Sequence, residues 1–137
     1  MIELNKKDLR FFSIAREVSK KSTYEKVHIG AIIVRKNTVI GEGANMVKSH
    51  PLQAKYNNLN PNMEGNHTHS IHAEVSAIVH TGTTELDDCV IYIYRDDRTG
   101  HIAMCRPCIG CMKLIKAVGI KTIYYTTNEG FCEEHLA

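Results

Sequence analysis

Ile71-His72-Ala73-Glu74-Val75-Ser76-Ala77-Ile78-Val79-His80-Thr81-Gly82 is the stretch from which the fold unrolls. Ile71, Val75, Ile78 and Val79 recur at the spacing of one helical face, and Gly82 ends the pattern. Cys89 to Tyr94 (CVIYIY) follows, short, aromatic and β-branched, as a strand is. A second pair of the same kind comes next. Pro107 suits a helix start; Cys108, Cys111, Met112, Ile115 and Val118 give that helix its buried stripe, and Gly119 stops it. Ile120 to Thr126 then reads as a further strand.

Working outward, Asn5 can cap a first helix with Asp8 in its first turn and Phe11, Ile14, Ala15 and Val18 on one face. Val27 to Val34 (VHIGAIIV) is nearly all apolar, as expected of a strand covered on both sides. Lys36-Asn37 makes a turn, and Thr38 to Gly43 returns as a partner strand. Met46 to Ser70 has no sustained periodicity and reads as a long loop. The last residues read as a tail or short hairpin, with no evident fifth strand. The order α-β-β-α-β-α-β predicts an α/β fold with helices packed on a mixed sheet of four to five strands.

With 137 residues the chain is expected to be one domain, 1–137, large enough to fold without staples. A net charge of +2 argues for no dedicated duplex-binding surface. No apolar run approaches spanning length, and the first residues lack the apolar core of a signal peptide, so no membrane role and a cytoplasmic location are expected. Three of the five cysteines (Cys105, Cys108, Cys111) cluster, which in a reducing compartment reads as metal binding rather than disulfides.

His72, Cys108 and Cys111 supply one imidazole and two thiolates, the donor set of a catalytic Zn2+ whose fourth position stays open for water. Both pairs fall at predicted helix starts, where unpaired N–H groups and the helix dipole favour ionised sulfur. Glu74, two residues past the histidine, is placed to take and return protons beside the metal.

The H-x-E and P-C-x-x-C elements together resemble the zinc nucleobase deaminases of the cytidine deaminase-like superfamily. The histidine first ligand brings the chain nearer the deoxycytidylate and tRNA-adenosine branches than the small cytidine deaminases. His28-Ile29-Gly30-Ala31-Ile32-Ile33-Val34 resembles the family's first strand and Gly41-Glu42-Gly43-Ala44-Asn45 its second. Gly119-Ile120-Lys121-Thr122-Ile123-Tyr124-Tyr125 resembles the strand after the cysteine helix. The resemblance implies a three-layer α-β-α sandwich and hydrolytic deamination of a cytosine nucleotide or nucleoside, foremost dCMP to dUMP. In that scheme a zinc-activated hydroxide attacks C4 while Glu74 shuttles protons. It also implies that the Ala73 N–H binds the exocyclic oxygen of the base, that Asn45 contacts the sugar, that His28 packs under the base, and that the protein is a homo-oligomer.

Several residues keep a second reading. Relatives run directly from the third strand into the proline-cysteine motif, whereas Arg95 to Arg106 intervene here, with Arg95, Arg98, His101 and Arg106. A solvated charged loop is favoured slightly over a phosphate clamp. Lys48, His50 and Lys55 offer themselves for the same phosphate role. Cys105 could close a structural Cys₃His site, or join His67, His69 or Cys132 at a second metal; the completeness of the paired motif favours the open site. Asn45 could be a turn residue, and His28 a satisfied core histidine. His67, His69 and His80 are expected to be exposed or supporting residues, Cys89 and Cys132 inert thiols, and the strand tyrosines packing residues. Action on a base in single-stranded nucleic acid is the enzymatic alternative. The balanced charge, the lack of tryptophan and 7% aromatic content disfavour it.

Overall fold

Asn5 opens the fold as its sequence predicts. Its side chain accepts the Asp8 N–H at 2.8 Å and starts helix α1 (Lys6–Ser19). The computed structural model describes residues 2–48, 50–57, 71–97 and 99–136. Strands β1 (His28–Arg35) and β2 (Thr38–Ala44) form a hairpin through Lys36 and Asn37, both in the left-handed region at φ 48° and 64°. Helix α2 (Pro51–Asn57), helix α3 (Ala73–Thr81), strand β3 (Cys89–Asp96), helix α4 (Ile109–Ala117), and strands β4 (Thr122–Thr126) and β5 (Phe131–His135) complete the order.

The sheet runs β2-β1-β3-β4-β5. Only β3 and β4, joined through α4, are parallel; the other neighbours are antiparallel. Alternation along the central strands divides two cores. Ile32, Val34, Tyr92 and Tyr94 pack under α1 with Phe11, Phe12, Ala15 and Val18. Ala31, Ile33, Ile91, Ile93 and Ile123 face α3 and α4 with Val75, Ile78, Leu114 and Ile115. This is the expected α-β-α sandwich on a mixed five-stranded sheet. Among the described residues no helix is long and apolar enough to cross a membrane.

Close approach sets the two helix layers. A Cβ on Gly30 would meet the Ala15 carbonyl oxygen at 2.1 Å, and one on Gly43 would meet the Ala77 nitrogen at 2.5 Å. Bare backbone at these positions lets α1 and α3 lie directly on the sheet.

Three expectations need correcting. Part of the predicted Met46–Ser70 loop is helix α2, started by Pro51, with His50 Nδ1 accepting the Leu52 N–H at 3.1 Å. The C-terminal residues form a fifth strand on β4, whose first residue Phe131 also bridges Ile2. The two site helices begin later than predicted: His72 and Cys108 are N-caps of α3 and α4, and Pro107 lies outside α4. His67, His69 and Arg98 lie outside the described residues.

Candidate metal centre and active site

Two helix starts meet on one face of the sheet. At α3 the N-cap is His72, whose side chain makes no capping bond, and its imidazole faces α4 instead. Gln53 of α2, 1% exposed, accepts the His72 N–H at 2.8 Å and holds this end in place. At α4 the N-cap is Cys108, whose sulfur accepts the Cys111 N–H at 3.5 Å. His72 Nδ1 lies 3.2 Å from Cys111 Sγ and 3.7 Å from Cys108 Sγ. Tetrahedral zinc, with bonds of about 2.3 Å to sulfur and about 2.0 Å to nitrogen, needs such donors about 3.6 Å apart. The three donor atoms fit a zinc ion, and among the described residues they form the one such His/Cys/acid cluster.

Charge within the cluster is unevenly held. The Cys111 hydrogen bond pulls Cys108 down to about 3 against the effect of burial. Cys111 moves the other way, because Cys108 takes its proton as a hydrogen bond and burial penalises a second thiolate. Burial pulls His72 down, but the Cys108 hydrogen bond and the Glu74 charge outweigh it and the net shift is upward. Glu74 is raised, first by burial, with His72 opposing. Binding a divalent cation here would therefore release protons.

A cavity of about 340 Å³ opens onto this cluster, a size suited to a small ligand. Its floor is His72, Ala73, Glu74 and Cys108. Around it, Tyr24, Val27, Ile29 and Asn45 come from β1 and its flanks, and Arg95, Met104, Cys105 and Arg106 from the end of β3 and the segment after it. A larger hollow of about 460 Å³ runs along the open edge of β2. Its polar groups are occupied with one another: Lys21 bonds Glu42 at 2.7 Å, and His80 Nδ1 lies 2.9 Å from the Glu42 carbonyl. It holds no convergent donor set, so chemistry rather than volume chooses between the two.

The structure sorts the expected residues. Ala73 opens α3, so its N–H has no carbonyl one turn back to pair with. Asn45 lines the cavity while its side chain accepts the Ile29 N–H at 2.9 Å and donates to the Val27 carbonyl at 2.8 Å. His28 does not line the cavity. It shares β1 parity with Gly30 on the α1 face, and its Nε2 lies 2.6 Å from the Tyr24 carbonyl. Lys48 and Lys55 are exposed and do not line it either; Lys55 lies over the Tyr56 ring. Arg106 reaches the rim but is held by Glu134 through two bonds, 2.9 and 2.7 Å.

Cys105 stands apart from the donor cluster. Its sulfur lies 3.1 Å from Thr126 Oγ1 and 3.4 Å from the Ile93 carbonyl, and burial pushes its thiol up to about 12. The charged loop before it is largely exposed, as expected of a solvated loop, and its described residues are bonded to one another. Asp97 Oδ1 accepts from Thr99 and His101, Asp96 bridges Ile102, and the Ala103 N–H bonds the Arg95 carbonyl at 2.9 Å. Sequence reasoning missed Gln53 and Tyr24, since neither belongs to a motif. A side-chain acceptor on a seven-residue helix leaves almost no pattern to read.

A model of the cytidine and deoxycytidylate deaminase zinc-binding region matches residues 5–127. The chain belongs to this family. A probable deoxycytidylate deaminase of Caenorhabditis elegans is 26% identical over 129 residues, covering 90% of this chain but 58% of the relative, so the chain spans little more than half of that protein. Among solved structures, the dCMP deaminase of cyanophage S-TIM5 superposes with a TM-score of 0.61 at 17% identity, covering 91% of this chain and 86% of that one. The guanine deaminase of Bacillus subtilis gives 0.50 at 23% identity, covering 90% and 65%. The fold is thus shared by deaminases named for different bases, and it does not by itself name this chain's base.

Proposed function

We propose that residues 1–137 act as one zinc-dependent deaminase domain that hydrolyses a cytosine nucleotide or nucleoside, foremost dCMP to dUMP and ammonia. The observation that carries this reading is the meeting of His72 Nδ1 with two cysteine sulfurs beside buried Glu74, at the floor of a cavity. The deoxycytidylate deaminase relative favours cytosine over other bases.

His72, Cys108 and Cys111 would hold the ion. Zinc there supplies Lewis acidity and lowers the pKa of water toward neutrality. The Ala73 N–H binds the exocyclic oxygen of the base and fixes its depth. Water adds at C4 and ammonia leaves, while Glu74 carries the protons, first from water to ring N3 and then to the departing amine. A carboxyl raised by burial suits this work, because it takes up a proton more readily than an exposed one and can give it back. Asn45 borders the sugar position.

Ammonia release from dCMP, dCTP, deoxycytidine, cytidine, adenosine and a single-stranded cytosine oligonucleotide tests the reading, with Glu74→Ala alongside. The expected result is turnover of a cytosine monomer, foremost dCMP, that falls about 10²- to 10⁴-fold in Glu74→Ala while zinc content is kept. Turnover of the oligonucleotide alone would replace this reading with editing of single strands. Light scattering checks the homo-oligomer that belongs to the same proposal.

A further inference from the structure

The segment from Arg95 to Arg106 brings two arginines to the lining of the cavity, and they are not equivalent. Arg106 is neutralised by two bonds to Glu134, whose carboxylate also accepts the Tyr125 hydroxyl at 3.1 Å. Arg95 has no carboxylate partner among the described residues. Its Nη1 donates to the Met104 carbonyl at 3.1 Å, which fixes the plane of the group and leaves other donors for a ligand. The nearby acids are turned elsewhere. Asp96 lies on the opposite face of β3 and accepts the Tyr94 hydroxyl, while the Asp97 carboxylate is engaged within its own turn.

The segment is also built rigidly. Thr126, fully buried, donates through Oγ1 to the Ala103 carbonyl at 2.7 Å and accepts the Arg95 N–H at 3.2 Å, while its own carbonyl accepts the Cys105 N–H at 3.1 Å. Asn128 accepts the Met104 N–H at 2.9 Å. Arg95 is therefore presented from a fixed support, beside its cross-strand partner Ile29.

We propose that this segment is the phosphate wall of the cavity and that Arg95 binds the 5′-phosphate, so that the protein selects a nucleotide over the matching nucleoside. The assignment rests on the deaminase reading above. It moves the phosphate role from Lys48, Lys55 and Arg106 to a side chain that has no ion-pair partner among the described residues.

The test compares kcat/KM for dCMP with that for deoxycytidine, in the wild-type protein and in Arg95→Gln, Arg95→Lys and Arg106→Gln. Arg95→Gln is expected to lower the dCMP-to-deoxycytidine ratio about 10- to 100-fold, the worth of a charge-assisted hydrogen bond. Most of that loss enters through KM. Arg95→Lys, with the charge but not the planar fork, is expected to fall between. Arg106→Gln is expected to depress both substrates together, since it loosens the wall without removing the phosphate donor. An unchanged ratio in Arg95→Gln, or a collapse confined to Arg106→Gln, would overturn the proposal. Calorimetric titration with dUMP, deoxyuridine and inorganic phosphate reads the same preference without turnover. Absence of any deamination would thus sink the deaminase reading, while loss of the dUMP preference in Arg95→Gln would still support the phosphate wall.

Discussion

The two faces of the sheet bury polar groups in opposite ways. Under α1 the buried carboxylate of Asp8 accepts the Tyr92 hydroxyl at 2.7 Å, and the Tyr92 ring stacks on Tyr124 at 4.5 Å. That pair settles its own needs. Under α3 and α4 an imidazole, two thiols and Glu74 are gathered within one apolar core, and burial pushes Glu74 up. Among the described residues no buried side-chain nitrogen or oxygen lacks a hydrogen-bond partner, so neither face is poorly satisfied. The difference is one of electrostatics. One face is complete as folded, while the other gathers shifted titratable groups whose donor atoms would fit a cation, the mark of a functional rather than a structural cluster.

Glycine substitutions break the comparison most sharply. Gly30→Ala drives a methyl into the Ala15 carbonyl, and Gly43→Ala drives one into Ala77 and Ser76 on α3. Each is expected to cost about 3 kcal/mol in chemical denaturation. Gly43→Ala should also reduce kcat and zinc affinity, because α3 carries His72 and Glu74. Gly30→Ala should lose stability alone. Equal losses of activity per unit of stability would mean that the faces are not separable.

Asp8→Ala comes next in size. It leaves the buried Tyr92 hydroxyl unpaired and should cost about 1–2 kcal/mol, with kcat/KM unchanged in the folded fraction. A change in the pH profile of turnover would tie Asp8 to the site and contradict the division.

How much of this was legible in the sequence follows from the range of each signal. The metal cluster was readable because its spacing is local within each helix, and the motif pairing supplied the long-range contact. Tyr92 was visible only as a strand tyrosine, and Arg95 only as one of several charges in an inserted loop weighed as a phosphate clamp. Strand parity, once the Ile29–Ile33 face is assigned, puts Ile29 in the cavity and turns His28 away, which reverses one expectation. Helix α2 was too short to show a period. Strand β5 reads FCEEH, and its partnership with Arg106 joins residues that no local pattern connects. Cys105 and Cys108 are close in sequence, yet a backbone bond to Thr126 and a thiol bond to the Ile93 carbonyl carry Cys105 toward the sheet.

The smallest effect concerns that remote pair. Glu134 sits below the usual carboxylate range, chiefly through its Arg106 hydrogen bonds, with burial opposing. A depressed folded pKa means that its stabilisation is present above the unfolded value of about 4.3 and is lost as pH falls through the folded one. Both side chains are partly exposed, at 49% and 30%, so the contribution should stay below about 1 kcal/mol. Thermal midpoints of the wild-type protein and Glu134→Gln should differ at pH 7 and converge on acidification. A gap that widens in acid would contradict the assignment.

Zinc K-edge absorption of the metal-loaded protein tests the central claim most directly, because it counts sulfur neighbours. The account predicts two sulfurs at about 2.3 Å and two lighter atoms at about 2.0–2.1 Å, unchanged in Cys105→Ser. Three sulfurs, falling to two when Cys105 is replaced, would show a closed structural site and contradict the account.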